Sequence, residues 1–410
     1  MPEVNVTPFE IETTSRHGDV VRADVYLPKG AAKPFPVLLG ASPYQKALRR
    51  LPASPQFPFV EYGPMQLYLD EGYAYVAMDV PGTGRSGGKW DPVSRAEGEA
   101  IHDMIEHVAA QEWSSGDLGM VGMSYYCWSQ WNGARTRPPH LRTIAAFDGA
   151  TDMYRDWMYQ GGIPIQGFLN SWLFGSVLLQ HQAAGHDIRG GGRGDVICEM
   201  YDHPLDDEWQ RRRSPFWELD RVDIPVLPIG AWGKAALHLR GNFTGFERVS
   251  GPKRLLVTGA DSFAAAQLHY SDAEFHRREV LPWYDHHLKG VENGVMDRAP
   301  VRFYVQGEKV YRDATAWPPA DAEPATFYLS GKRTGEVASL NDGSLTGTAD
   351  EAWGETVWSY PDPKWMAGVT MIDEQGVLDH VARVNTFTTA PFREHLNSVP
   401  SAKNNNTERN

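Results

Sequence analysis

Six short apolar runs along the first two-thirds of the chain constrain the fold more than any other feature. They are Pro36 to Leu39, Tyr73 to Val80, Leu118 to Met123, Thr143 to Phe147, Ile224 to Ile229 and Arg254 to Thr258. Each is too short for a core-spanning helix and lacks polar–apolar alternation, which is the pattern of a parallel strand buried on both faces. Helical patterns lie between several of them. The clearest sets Ile101, Met104, Ile105, Val108 and Ala109 on one stripe that ends near Trp113. Strands alternating with helices predict an α/β fold, a doubly wound sheet. Before the first run, Phe9 to Pro28 alternates around His17-Gly18-Asp19, as an antiparallel hairpin does.

With 410 residues the chain exceeds what one core serves, so more than one domain is expected. The alternation stops between Asp152 and Arg213, where aromatic-rich helical segments (Trp157, Tyr159, Phe168, Trp172, Phe174) surround a Gly190-Gly191-Gly192 break. This reads as an inserted helical cap. The core then divides into residues 1–151 and 214–298, around a cap at 152–213. After Leu288-Lys289-Gly290 the character turns to β, so an all-β domain is placed at 299–397, starting near Ala299. Residues 398–410, with Asn404-Asn405-Asn406, are too poor in apolar side chains to repay ordering and are expected to form a disordered tail.

A formal charge of −13 repels phosphate backbones, and no basic run interleaved with aromatics is present, so nucleic acid is excluded as a partner. No stretch reaches ~18 uninterrupted apolar residues, and Met1 to Glu12 lacks the basic and apolar blocks of a signal peptide. The expectation is a cytoplasmic protein without membrane association. Two cysteines, Cys127 and Cys198, are too few for a disulfide framework, which fits a reducing compartment.

The chemistry concentrates where Gly122-Met123-Ser124 ends a strand pattern and Tyr125 to Trp131 opens a helical one. Strand, serine, helix is the setting of a nucleophile elbow: the sharp turn exposes the hydroxyl and sets the Tyr125 N–H at a helix N-terminus, where an oxyanion can be held. The plain alternative is a helix-capping serine.

Ser42-Pro43-Tyr44-Gln45-Lys46 after the first parallel strand, Asp79 to Gly87, Ala110-Gln111-Glu112-Trp113-Ser114, Ser124-Tyr125, Asp285-His286-His287-Leu288-Lys289-Gly290 and Phe387-Thr388-Thr389-Ala390-Pro391 together resemble the cocaine-esterase and X-Pro dipeptidyl-peptidase family of α/β-hydrolases. The likeness runs nearly end to end. It implies an α/β-hydrolase core, a helical cap and a C-terminal jelly roll, here a partial one because the chain stops about twenty residues after the last motif. By matching position it makes Ser124 the nucleophile and the Tyr44 hydroxyl an oxyanion donor. An unfinished β-sandwich would expose strand edges, so a homo-oligomer through that domain is a further expectation.

The departures fall on the acid and the base. Where the family carries an aspartate in Gly-Trp-x-Asp, this chain has Trp232-Gly233-Lys234; where it carries a histidine after Gly-Pro-Trp, the chain reads Gly259-Ala260-Asp261-Ser262-Phe263. The glycine expected three residues after the nucleophile is Cys127, which should crowd the elbow. A serine without a base is a poor nucleophile, so a replacement is required. His269 is the first choice, if an extended loop folds it back toward Ser124, against the plain reading of a surface histidine; His238 is the second. Asp148, at the end of the strand after the nucleophile's helix, is the candidate orienting acid, with Asp152 and Asp261 as competitors and a turn or cap role as its plain reading.

Two patterns are set aside. Gly82-x-Gly84-x-x-Gly87 formally matches a dinucleotide fingerprint, but Lys89-Trp90-Asp91-Pro92 follows instead of a long helix, so no NAD site is expected. His286 and His287 diverge on a helix and lack a metal-binding spacing, and no cofactor is expected. The function expected is a serine hydrolase cleaving an ester or amide of a small acyl or aromatic substrate through an acyl-enzyme at Ser124. Its rivals are a disarmed fold that binds a ligand or protein, and a lyase or isomerase that uses the oxyanion hole alone.

Overall fold

The computed structural model describes residues 4–46, 59–178, 181, 196–332, 343–349 and the strand pairs 371–372, 378–379 and 387–388. Contacts divide the chain into two compact units, one built from Met1–Ile165 and Leu169–Trp317 and the other from Pro318–Pro400 with Gln166–Phe168.

The first unit is a ten-stranded sheet. In chain order the strands are β1 (Phe9–Thr14), β2 (Val20–Tyr26), β3 (Phe35–Ser42), β4 (Ala74–Asp79), β5 (Ser114–Met120) and β6 (Leu141–Phe147). After a two-stranded ribbon of β7 (Tyr159–Gln160) and β8 (Ile163–Pro164) come β9 (Val226–Ala231), β10 (Leu255–Thr258), β11 (Val301–Val305) and β12 (Val310–Ala314). The order across the sheet is β1-β2-β4-β3-β5-β6-β9-β10-β11-β12, parallel from β4 to β11 and antiparallel at both ends. All six apolar runs are strands of this parallel core, and the hairpin is β1–β2. Its centre is buried because every residue of β4 and β9 is covered on both faces.

Three helices place the site: α1 (Met65–Asp70), α2 (Arg95–Ala109) and α3 (Tyr125–Ala134). Ser94 caps α2 by accepting the Glu97 N–H, and Ile101, Met104, Ile105 and Val108 are its buried stripe. All of α3 is buried. On the other face of the sheet the helix Leu281–Lys289 locks onto strand ends through Tyr284, which donates to the Met120 carbonyl at 2.7 Å, and Trp283, which donates to Thr143 Oγ1 at 2.7 Å. Gly290, left-handed at φ 67°, ends that helix.

Apart from the β7–β8 ribbon, the cap region is mainly helical where described, with turns at Met153–Met158, Trp172–Leu178, Val196–Asp202 and Glu208–Arg212; the triple glycine and the tail lie outside the described residues. The expected boundary near Ala299 needs correction. β11 follows the helix Leu281–Lys289 back to the sheet and pairs parallel with β10, burying Val301, Phe303 and Val305, so β11 and β12 extend the central sheet and the second unit begins at Pro318. Alternating apolar residues mark a strand but do not say which sheet it joins. In the second unit, β13 (Tyr328–Ser330) pairs antiparallel with β14 (Gly343–Thr346), and Gly343 and Ser344 of β14 pair parallel with Phe387 and Thr388.

Candidate active site

Ser124 stands on a sharp turn after β5. Its backbone takes φ 62° and ψ −118°, a conformation a non-glycine residue holds only when its surroundings impose it. The surroundings are visible. The Ser124 N–H donates to the Asp148 carbonyl at 2.9 Å, the Met123 N–H to the Glu61 carbonyl at 2.8 Å, and Gln130 Nε2 to the Gly122 carbonyl at 2.9 Å. Gly122, at φ 129°, is obligatory, because a Cβ there would lie 2.2 Å from Tyr126 Cβ. The expected crowding by Cys127 is relieved by Gly149, where a Cβ would fall 2.4 Å from the thiol sulfur.

Tyr44, two residues after the end of β3, lies beside the elbow. Its ring centroid is 6.2 Å from that of Tyr125 and 6.1 Å from that of Tyr126, and its hydroxyl oxygen accepts from Trp172 Nε1 at 2.9 Å. Burial, then the nearby Glu61 carboxyl, pushes the Tyr44 phenol up, so it stays protonated and able to donate. Tyr125 holds the first position of α3, where no preceding turn supplies its N–H with an acceptor. Its hydroxyl is engaged elsewhere, donating to Glu97 at 2.8 Å.

Glu61 is the residue that sequence reasoning missed. It sits on a short 3-10 turn, Phe59–Tyr62, is 2 % exposed, and its Oε2 is buried without a hydrogen-bond partner among the described residues. Burial pushes its carboxyl up to about 8, opposed first by the Lys234 charge and then by the hydroxyls of Ser124 and Tyr44 and by Gln267. Gln267 Nε2 itself lies beyond hydrogen-bond reach of any acceptor among the described residues. The only signal in the sequence was a lone acid in an aromatic stretch, Phe57-Pro58-Phe59-Val60-Glu61-Tyr62.

The two departures from the family pattern meet each other. Lys234, on the turn Trp232–Lys234 after β9, is 1 % exposed, makes no hydrogen bond through Nζ to any described residue, and holds that atom 3.3 Å from the centroid of the Phe263 ring. The loops are pressed together by Gly233, whose N–H donates to the Ala260 carbonyl at 2.7 Å and where a Cβ would lie 2.3 Å from the Ser262 nitrogen. Burial lowers the Lys234 pKa, while Asp148 and Glu61 act to raise it.

The expected base and acid are not brought together. His269 lies on the helix Phe263–Ser271 and not on an extended loop: Ser262 caps that helix by accepting the Ala265 N–H, and nothing in the stretch interrupts it. Its ring packs on Phe275 at 4.3 Å, and its charged neighbours are Asp272, Arg278 and Glu279. Asp148, with φ 45°, uses Oδ1 to accept the Ala231 N–H at 2.8 Å and leaves Oδ2 without a partner among the described residues; burial pushes it up to about 7, with Lys234 opposing. It therefore faces a lysine where a histidine was expected. His238 is buried between Trp128 (6.0 Å) and Phe263 (6.5 Å), with both ring nitrogens unpartnered among the described residues and its pKa held well below the usual value by burial and by Lys234. Asp152 caps the Met153–Met158 turn and pairs with Arg155. Asp261 is exposed.

A family model described as X-Pro dipeptidyl-peptidase (S15 family) matches residues 17–261, a stretch that holds Tyr44, Glu61, Ser124, Asp148 and Lys234. The cocaine esterase of Rhodococcus sp. (strain MB1 Bresler) is 26% identical over 407 residues, covering 88% of this chain and 69% of the esterase. The crystal structure of a CocE/NonD family hydrolase from Staphylococcus aureus superposes with a TM-score of 0.68 at 27% identity, covering 78% of this chain and 58% of the other. The chain thus spans little more than half of that solved structure. An α-amino acid ester hydrolase, at 18% identity and a TM-score of 0.59, shares the fold.

Proposed function

The chain belongs to the X-Pro dipeptidyl-peptidase (S15) family, and from that premise we propose that it is a serine hydrolase cleaving the ester or amide bond of a small acyl or aromatic substrate through an acyl-enzyme on Ser124. The observation that carries this reading is the strained Ser124 backbone, held beside a buried, protonated Tyr44 and the N-terminus of α3. Ser124 Oγ attacks the carbonyl carbon; the Tyr44 hydroxyl and the Tyr125 N–H receive the oxyanion. Trp128, Trp157 and Trp172, in mutual ring contact beside Tyr125, supply an apolar wall suited to an acyl or aromatic group.

The rival reading, a disarmed binding module, is favoured by Lys234 and Phe263, which satisfy each other where an acid and a base stand in relatives. Labelling by a fluorophosphonate, followed by mass spectrometry, separates the two because it reports only an activated serine. The expected result is one adduct on wild type and none on Ser124→Ala. A folded wild type that takes up no probe would favour the binding module.

A further inference from the structure

Ser124 requires a proton acceptor, and the residue that bears on its hydroxyl comes from neither β9 nor β10. We propose that Glu61 is the general base for Ser124 and that Lys234 is the positioning residue whose ammonium favours the carboxylate form of Glu61, an inference that rests on the hydrolase reading above. The two sites that relatives use for an acid and a base are thereby replaced by one carboxylate from the Phe59–Tyr62 turn and one ammonium from the β9 end.

The geometry supports this from three sides. The Glu61 carbonyl accepts the N–H of Met123, so the turn is fastened one residue before the nucleophile. The groups that act electrostatically on the carboxyl are Lys234 from the β9 turn, Ser124 from the elbow, Tyr44 from the loop after β3 and Gln267 from the helix Phe263–Ser271. Tyr270 from that same helix lies close by, its hydroxyl 3.2 Å from where a Gly63 Cβ would stand. Lys234 in turn faces Asp148 and the neutral His238, and its Nζ rests on the Phe263 ring with no hydrogen bond to any described residue. Glu61 Oε2 has no hydrogen-bond partner among the described residues and can take a proton.

The proton balance closes without a further reagent. Glu61 accepts the Ser124 hydroxyl proton as Oγ bonds to the carbonyl carbon, and the carbonyl electron pair moves onto oxygen. Collapse breaks the bond to the alkoxide or amine, which leaves with the proton from the Glu61 carboxylic acid. Water then gives a proton to Glu61 as it adds to the acyl carbon, and Ser124 Oγ departs reprotonated.

A base must be ionised, so reactivity rises with pH and levels off once Glu61 has lost its proton. Removing the Lys234 ammonium takes away a charge that favours the carboxylate, so the rising limb moves to higher pH. The test is the rate of fluorophosphonate labelling of the full chain from about pH 6 to about pH 10, bracketing the carboxyl's range, for wild type, Glu61→Gln, Lys234→Met and His238→Asn, each checked for folding by thermal melting. The expected result is a ~10²–10⁴-fold loss in Glu61→Gln, and in Lys234→Met a limb moved up by about one unit or more with its plateau kept. Labelling of Glu61→Gln at the wild-type rate, an unmoved limb in Lys234→Met, or loss of labelling in His238→Asn alone would each overturn the proposal. If Glu61→Gln does not fold, the Lys234→Met limb decides. A wild type unlabelled across the range would instead remove the hydrolase reading on which the proposal stands.

Discussion

The end of β5 and the ends of β9 and β10 lie along the same carboxyl edge of one parallel sheet, yet they have fared differently. At β5 the elbow holds Ser124 in a strained backbone with Tyr44 beside it and Tyr125 opening α3, the residues proposed above as nucleophile and oxyanion donors. At β9 and β10 the backbone is held as tightly, with Gly233 against Ser262, but the side chains there are Lys234 and Phe263, where the family resemblance implies an acid and a histidine. The exchange is coupled. A buried ammonium without compensation is strongly unfavourable, and here an aromatic face and two carboxyls, Glu61 and Asp148, offset it. Backbone geometry at a strand end can thus be held by side chains of quite different chemistry, provided they satisfy one another.

The largest effect that sharpens this contrast is expected at the retained edge. Tyr44→Phe removes the oxyanion hydroxyl while keeping the ring, so kcat for a reactive aryl ester should fall ~10²–10³-fold with KM little changed. An unchanged kcat would mean that the elbow retains its shape without its function.

Next comes the pH dependence of stability, which reports on the exchanged edge. Glu61 is pushed up to about 8 and Asp148 to about 7, both by burial. The folded state then holds protons that the unfolded chain releases near pH 4, and the stability they contribute is present below that pH and lost as pH rises through about 7 to 8. Glu61→Gln carries no such titration. The Tm of Glu61→Gln relative to wild type should therefore climb between about pH 5 and about pH 9, by the equivalent of a few kcal/mol. A difference in Tm that is flat with pH would place the Glu61 carboxyl in water.

A smaller effect is expected from Phe263→Leu, which keeps apolar bulk and removes the ring face under Lys234. The loss is about 0.5–2 kcal/mol of stability in urea unfolding. It should vanish in a Lys234→Met background, because the double-mutant cycle isolates the contact between the two.

These contrasts also mark how far the sequence could be read. The parallel strands, the α2 stripe and the elbow were legible because each rests on local spacing. Glu61 was not: its burial comes from packing of the Phe59–Tyr62 turn against the helix Phe263–Ser271, and no motif announces a contact across some two hundred residues. The Lys234–Phe263 contact was hidden for a related reason, since it depends on two loops touching through Gly233 and Ala260. The second-unit boundary was misplaced because β11 has the alternation of a half-buried strand while belonging to the parallel sheet.

The smallest expected effect is at His269, the residue the sequence favoured as base. Three of its features argue for a packing role. It is fixed within a capped helix, its ring meets Phe275 edge to face, and its pKa is lowered by burial, with Asp272 acting against that. His269→Ala should cost about 1 kcal/mol through the lost ring contact and leave the rate and pH limb of Ser124 labelling where they are in wild type. A hundredfold fall in labelling of a folded His269→Ala protein would require the helix Phe263–Ser271 to unwind toward Ser124 during the reaction. The exchanged edge would then still supply a histidine, and the contrast between the two edges would be one of conformation and not of chemistry.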